Sequence, residues 1–282
     1  MAANLDSAAE ARRNSKGTDD PVHVRVVEVT KSYGDTSVLK GVTFDIHRGI
    51  TNVIVGASGS GKTVFLRQLI RLEKPDSGRI EVDGQDIVPL NEVELGETRK
   101  KFGMVFQMSA LFDSMDVFDN VAFPLREHTK MSRSDMKQQV TESLEALGVG
   151  HAIHKLPSEL SGGMKKRVAV ARALVMKPAI LIYDEPTTGL DPITSRTVDE
   201  LIESTRERFG VTSVVISHDM ESVFRIGHRI TLLYKGKVEL SATRDEFAAS
   251  QNEHVREIVD ASGVDIPGVA ERAARQPAAL AD

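Results

Sequence analysis

Gly56-Ala-Ser-Gly-Ser-Gly-Lys-Thr63 decides the reading of this chain. The stretch follows the apolar run Asn52-Val-Ile-Val55 and precedes Phe65, Leu66, Leu69 and Ile70 at helical spacing. Strand, loop and helix therefore stand in the order that G-x-x-x-x-G-K-[ST] requires. The glycines let the backbone curl until the N–H groups of Gly56, Ala57, Ser58, Gly59, Ser60 and Gly61 point at phosphate oxygens. A helix beginning near Lys62 adds its positive end. Lys62 can reach the terminal phosphates, and the Thr63 hydroxyl can hold Mg²⁺. The bland alternative, a glycine-rich turn before a helix, leaves the Lys-Thr pair unexplained. The expectation is an α/β nucleotide-binding core.

Further polar groups fall at predicted strand ends. Ile180-Leu-Ile-Tyr-Asp184-Glu185 closes a buried-type strand on two carboxylates, at the end where open α/β sheets bind ligands. Asp184 is suited to the metal's water shell, and Glu185 to orienting or deprotonating a water against the γ-phosphate. Ser217-His218 ends the next strand, where the imidazole can bridge Glu185, the phosphate and the water. Gln107, after Phe102-Gly-Met-Val-Phe106, is a further group able to touch Mg²⁺ and the water. Alone, the Asp-Glu pair also reads as a solvated strand terminus, His218 as a structural histidine and Gln107 as a surface glutamine, and the phosphate loop tips the balance.

A second glycine motif, Leu160-Ser-Gly-Gly-Met164, opens the basic helix Lys165-Lys-Arg-Val-Ala-Val-Ala-Arg172. Ser161, Gly162 and Gly163 at a helix start form a second anion site. One chain cannot easily fold both sites onto one γ-phosphate, so two copies, each capping the other's nucleotide, are the economical solution. The basic residues 165 to 167 and 172 read as reinforcement of that site or as a solvated face, and less well as a nucleic-acid face.

Composition narrows the classes. Among 282 residues, 40% are hydrophobic and 27% charged, which excludes whole-chain disorder and collagen-like repetition. A net charge of −5 disfavours general nucleic-acid binding, so no nucleic-acid partner is expected. The absence of cysteine removes disulfide frameworks, thiolate metal sites and thiol nucleophiles. Apolar runs such as Ala179 to Tyr183 fall far short of the ~20 residues of a membrane span. Met1 to Asp20 carries no apolar stretch and is expected to be disordered rather than a secretory signal. The predicted location is cytoplasmic.

The pattern along the chain is β, then helical, then β/α. Val22 to Val29, Val42 to Ile46 and Gly78 to Gly84 read as strands, the last closed by an Asp-Gly turn. Ser132 with Asp135 starts a helix carrying Met136, Val140, Leu144 and Leu147 and stopped by Gly148, and a second runs from Met164 to Met176. Ala179 to Tyr183 and Ser213 to Ser217 flank a helix opened by Asp191-Pro192 and closed by Gly210. Arg229 to Tyr234 and Lys237 to Leu240 form an edge hairpin. Thr243-Arg-Asp-Glu246 is a capping box, so one last helix is predicted from there to Asp260.

These motifs, in this order, resemble those of ATP-binding cassette (ABC) ATPases, over roughly residues 23 to 245. Gly56 to Thr63 matches the Walker A loop and Ile180 to Asp184 Walker B. Glu185 matches the catalytic glutamate, Gln107 the Q-loop, Leu160 to Met164 the signature and His218 the switch histidine. Gly189-Leu-Asp191 resembles the D-loop that reaches the partner's nucleotide, and Tyr33 in Lys31-Ser-Tyr-Gly the aromatic that stacks on adenine. Met164 stands where the signature usually has Gln. The resemblance implies a P-loop NTPase fold: a RecA-like mixed sheet, an antiparallel β subdomain and a helical subdomain inserted at about 108–178. The cassette would span 21–245, with 246–282 a helical extension and tail. It also implies an ATP- and Mg²⁺-dependent homodimer.

Within the family, Leu111 to His128, the Met-ended signature and Asp191-Pro-Ile-Thr194 resemble the ATPase of Mla/Mce-type lipid transporters. That resemblance implies a place on the cytoplasmic face of the inner membrane, an integral permease and an MCE-type lipid-binding protein. Met108, Leu111, Phe112, Met115, Val117 and Phe118 are the candidates to receive the permease, although individual members also suit a helical core. A cassette serving another substrate, such as amino acids or lipoproteins, is the alternative. A soluble ABC protein acting on ribosomes or DNA fits less well, because the chain carries one motif set and only a short helical lobe. A dimer-stabilising role is the expectation for the segment after Thr243.

Overall fold

The computed structural model describes residues 21–264. The segment 1–20 and the tail beyond 264, including its predicted disorder, lie outside the described residues. Alternating burial along β1 (Val22–Tyr33) and β2 (Thr36–His47) makes them an antiparallel pair with one dry face. With β4 (Ser77–Val82) and the short β5 (Gln85–Asp86) they form a sheet in the order β2-β1-β4-β5. This is the antiparallel subdomain that the resemblance implied.

The second sheet has the order β10-β9-β3-β8-β7-β6. Its members are β3 (Thr51–Val55), β6 (Phe102–Val105), β7 (Ile180–Asp184), β8 (Thr212–Ser217), β9 (Arg229–Tyr234) and β10 (Lys237–Thr243). All neighbours run parallel except β10 against β9. Every residue of β3 and β8 is buried, the continuous apolar pattern of a sheet covered on both faces. Period-two alternation divides the side chains between two cores. Ile54, Ile180, Ile182, Val214 and Ile216 pack with the antiparallel subdomain and helix α1 (Lys62–Leu69). Val53, Val55, Leu181, Tyr183 and Val215 pack against helices on the other face.

Helix α2 (Glu92–Arg99) precedes β6 and has a capping box made by Asn91 and Glu94, which the sequence reading missed. Between β6 and β7 lie α3 (Val117–His128), α4 (Arg133–Ala146) and α5 (Gly162–Leu174). Ser132 caps α4 as predicted, whereas α5 starts two residues earlier than expected because Ser161 caps it. Helix α6 (Pro192–Phe209) begins after Asp191 and ends on left-handed Gly210, and α7 (Met220–Ile226) follows β8.

One predicted helix divides. The chain after β10 forms α8 (Arg244–Ala249), stops at extended Ser250, and restarts as α9 (Glu253–Ser262), because Asn252 accepts from His254 N and Val255 N. Phe247, Val255 and Val259 are buried in this chain's own core. The apolar residues predicted for one long helix thus pack inside the chain from two short ones. No helix among the described residues is long and apolar enough to cross a membrane.

Candidate nucleotide site

Parallel pairing sets Val55 opposite Ser217 and Asp184 opposite Ile216. The phosphate loop, Ser217-His218 and Asp184-Glu185 therefore leave the C-terminal ends of three neighbouring strands side by side. Within the loop, a Cβ on Gly56 would stand 2.2 Å from the Leu233 carbonyl oxygen and 2.6 Å from Ser60 Oγ, so only glycine fits. Gly61 has φ 109° and turns the chain into α1.

Lys62 is buried, and its Nζ donates to the carbonyls of Gly56 at 2.6 Å and Ala57 at 3.2 Å. Helix α1 has no side-chain N-cap, whereas Asn91, Asp116, Ser132, Ser161, Asp191, Asp219, Thr243 and Asn252 cap the other α-helices among the described residues. Its first amides are left to an acceptor from outside the helix, and beside a buried ammonium that acceptor is an anion.

Glu185 follows β7 in a left-handed backbone conformation, φ 49°, held by its N–H on the Ile216 carbonyl at 2.9 Å. Such a conformation is strained for a non-glycine residue and persists because the surrounding bonds impose it. His218 Nδ1 lies 2.8 Å from Glu185 Oε2, and the Thr188 hydroxyl donates to the same oxygen at 2.9 Å. The other oxygen, Oε1, is 3.8 Å from Lys62 Nζ. The structure thus brings Lys62, Glu185 and His218 together. Asp219 supports the assembly by accepting from the Thr187 hydroxyl at 3.1 Å while its own N–H donates to Ser217 Oγ.

Burial pushes the Lys62 ammonium below its ordinary range, against the pull of Glu185 and Asp184. Burial, with Glu185 beside it, pushes the Asp184 carboxyl upward, opposed by Lys62. Among the described residues no side chain hydrogen-bonds the Asp184 carboxylate. A half-buried carboxylate in this condition, under the influence of Lys62, whose neighbour in the chain is the hydroxyl-bearing Thr63, supplies the hard-oxygen chemistry that fits Mg²⁺.

Among the described residues, the remaining predicted side chains make no hydrogen bond to Lys62, Glu185 or His218. Ser161 Oγ caps its own helix, accepting from Met164 N at 3.3 Å. A Cβ built on Gly162 or Gly163 would meet nothing within 4 Å, so nothing among the described residues demands glycine there. Asp191 accepts from the N–H groups of Ile193 and Thr194 and from the Thr194 hydroxyl, which hold its carboxyl below the usual range. Tyr33 is exposed at the end of β1, its hydroxyl donating to Glu73 and the Lys31 ammonium 5.6 Å from its ring. Gln107 is exposed after β6, with its carbonyl rather than its amide engaged.

The basic face of α5 is the main correction. Lys166 Nζ donates to the carbonyls of Gln107 at 2.5 Å and Pro186 at 3.1 Å. Arg167 donates to the Leu147 carbonyl, and Arg172 to those of Ser109 and Ala110. These three cations tie loops to the helix rather than forming a freely solvated face. Ser109 and Ala110 both have positive φ, and Asn120, fully buried, accepts from Phe112 N and donates to the carbonyls of Phe112, Met115 and Asp116. The segment after Gln107 is therefore a built platform. Met108, 85% exposed, and Phe112 project from it, whereas Val117 is buried and fills the lobe's core. Leu111 and Phe118 are half-buried against that core.

The ABC transporter family profile matches residues 39–188. The chain is 38% identical over 250 residues to the probable ribonucleotide transport ATP-binding protein mkl of Mycobacterium leprae, covering 89% of this chain and 72% of that one. It is 40% identical over 229 residues to the intermembrane phospholipid transport system ATP-binding protein MlaF of Haemophilus influenzae, covering 81% and 87%. Among solved structures, the dimeric post-hydrolysis state of the ATP-binding cassette MJ0796, bound to ADP and Pi, superposes with a TM-score of 0.69. That match has 34% identity and covers 78% of this chain and 98% of that one.

Proposed function

Because the chain belongs to the ABC transporter family of ATP-binding proteins, we propose that it works as one of two identical ATPase subunits that drive a lipid permease. It binds and hydrolyses ATP. Lys62, Thr63 and the amides of residues 56–61 hold the phosphates, and Tyr33 stacks on the adenine. Thr63, Asp184 and Gln107 would hold Mg²⁺, which when bound offsets the charge of the phosphates. Glu185 orients and deprotonates the attacking water, with His218 fixing the carboxylate. Ser161, Gly162, Gly163 and Asp191 of one subunit complete the other's site. The observation that carries this reading is the Lys62–Glu185–His218 cluster over an uncapped helix. Gly162 and Gly163, which nothing among the described residues requires to be glycine, support the shared site.

The lipid assignment is supported by the similarity to MlaF across most of that protein's length. In this reading, residues 21–245 form the cassette, with a helical subdomain at about 108–178. It works peripherally, at the cytoplasmic face of the inner membrane. Met108 and Phe112, on the platform held by Lys166, Arg172 and Asn120, receive the permease, and an MCE-type lipid-binding protein completes the assembly. The likeness to mkl favours a second reading, transport of ribonucleotides.

One purification separates the two. The full chain, drawn from membranes in mild detergent, is expected to bring a multi-span permease with it. The reconstituted complex should hydrolyse ATP faster in phospholipid-loaded vesicles and stay indifferent to ribonucleoside monophosphates. Stimulation by the nucleotides alone would reverse the substrate assignment. A chain that copurifies with no membrane protein would end the transporter reading.

A further inference from the structure

The segment beyond the predicted cassette has no role in the site described so far, yet it is joined to the phosphate loop. The His254 ring, in the first turn of α9, stacks on Tyr234 with centroids 3.9 Å apart and planes at 26°. Its Nδ1 lies 3.3 Å from Glu239 Oε2. Tyr234 ends β9 and Glu239 lies in β10, so one imidazole spans both arms of the hairpin. Val255 and Val259, buried beneath, hold the helix in place.

The hairpin in turn carries the loop. Lys235 and Gly236, with φ 47° and 84°, form its turn. Gly236 N donates to the Ser60 carbonyl at 3.2 Å, and its own carbonyl accepts from Lys40 N at 2.8 Å. A side chain at Gly236 would strike the Val38 carbonyl, 2.1 Å away. At its other end, the loop lays Gly56 against the Leu233 carbonyl so closely that no Cβ fits. The phosphate loop thus rests on the hairpin at Leu233 and at Gly236, and Tyr234 lies between these supports.

We propose that Tyr234 and His254 are positioning residues for the nucleotide: their stack lets α9 hold the β9–β10 hairpin, and with it the phosphate loop, in the geometry that binds ATP. The inference rests on the ATP-site reading above and assigns the C-terminal helix a task within its own subunit. It follows from the way preorganisation acts. A cradle of backbone amides binds only when its peptide planes are already aimed, and each support that limits their movement lowers the cost of binding. Removing one aromatic stack changes such an equilibrium by about three- to tenfold.

The test is titration of the full chain with a fluorescent N-methylanthraniloyl-ATP, together with steady-state kinetics. His254→Ala deletes the ring but spares Val255 and Val259, so α9 stays docked. Its Kd and KM for ATP should rise about three- to tenfold, while turnover at saturating ATP changes by less than about twofold. His254→Phe keeps a ring on Tyr234 without the Glu239 contact and should restore most of the affinity. Amide exchange at residues 56–61 in the nucleotide-free protein should quicken in His254→Ala and return in His254→Phe. Wild-type affinity and exchange in a folded His254→Ala protein would overturn the proposal, as would equal weakening by both variants. Failure of the ATP site itself looks different: the wild type would not bind the probe, or Lys62→Ala would bind it equally well.

Discussion

His218 and Glu185 meet at 2.8 Å, Nδ1 to Oε2, although 33 positions separate them in the chain. The Thr188 hydroxyl donates to the same oxygen. The carboxylate is thereby held at one oxygen, and the other faces Lys62. Under the proposed function, these contacts would fix the orientation of the base before nucleotide arrives.

Glu185→Gln keeps the shape of the side chain and removes its basicity. Turnover should fall about 10²-fold or more while ATP still binds, and sizing in ATP should show accumulated dimer. Thr188→Val should cost a smaller factor, about three- to tenfold in kcat with little change in KM, and Thr188→Ser should recover it. Unchanged turnover in Glu185→Gln would remove that residue from the chemistry.

Lys62→Ala takes away the ammonium that donates to the Gly56 and Ala57 carbonyls inside the loop. Fluorescent-nucleotide titration should show affinity lost by about tenfold or more, or hydrolysis abolished. Full activity would refute the phosphate-loop reading.

Ser161→Arg places a bulky cation on the motif whose glycines face open space in the single chain. If the site is shared as proposed, ATP should load as in the wild type and hydrolysis should fail, since the obstruction would fall on the partner's nucleotide. A hydrolysis rate equal to the wild type's would contradict the shared site.

Stability should fall in acid because of His23. Burial, and then Arg48, lower its pKa from the ordinary 6.5 to about 4, with Asp83 pulling the other way. A histidine depressed in the native state leaves the unfolded chain binding the extra proton between those values. Its contribution is therefore intact above pH 6.5 and declines as pH falls towards 4, by ~3–4 kcal/mol at its limit. Urea midpoints at pH 7.5 and pH 4.5 measure this, and His23→Gln should flatten the difference. A slope that is unchanged by the substitution would assign the acid sensitivity to other groups.

The nucleotide core was legible because its features are local. Gly56, Gly59 and Gly61, the apolar strand before them and the helix after them can be read within one short window. A carboxylate at the end of a buried strand has few places to go in a parallel sheet. The capping box at Thr243 was equally legible, yet the helix it opens ends at Ser250, since Asn252 offers a second cap that a single apolar period conceals.

By itself, then, the sequence determined the parallel core, the phosphate loop and the identity of the groups at the strand ends. Only the tertiary structure decided where the cations of α5 go, that Val117 belongs to the core while Met108 does not, and that His254 reaches the hairpin beneath the loop. The physical reason lies in the partners. A glycine's left-handed turn or a helix cap is specified by neighbours in the chain, whereas a lysine or arginine can donate to any carbonyl and an imidazole can stack on any ring. Which one it meets is settled by packing between segments far apart in sequence.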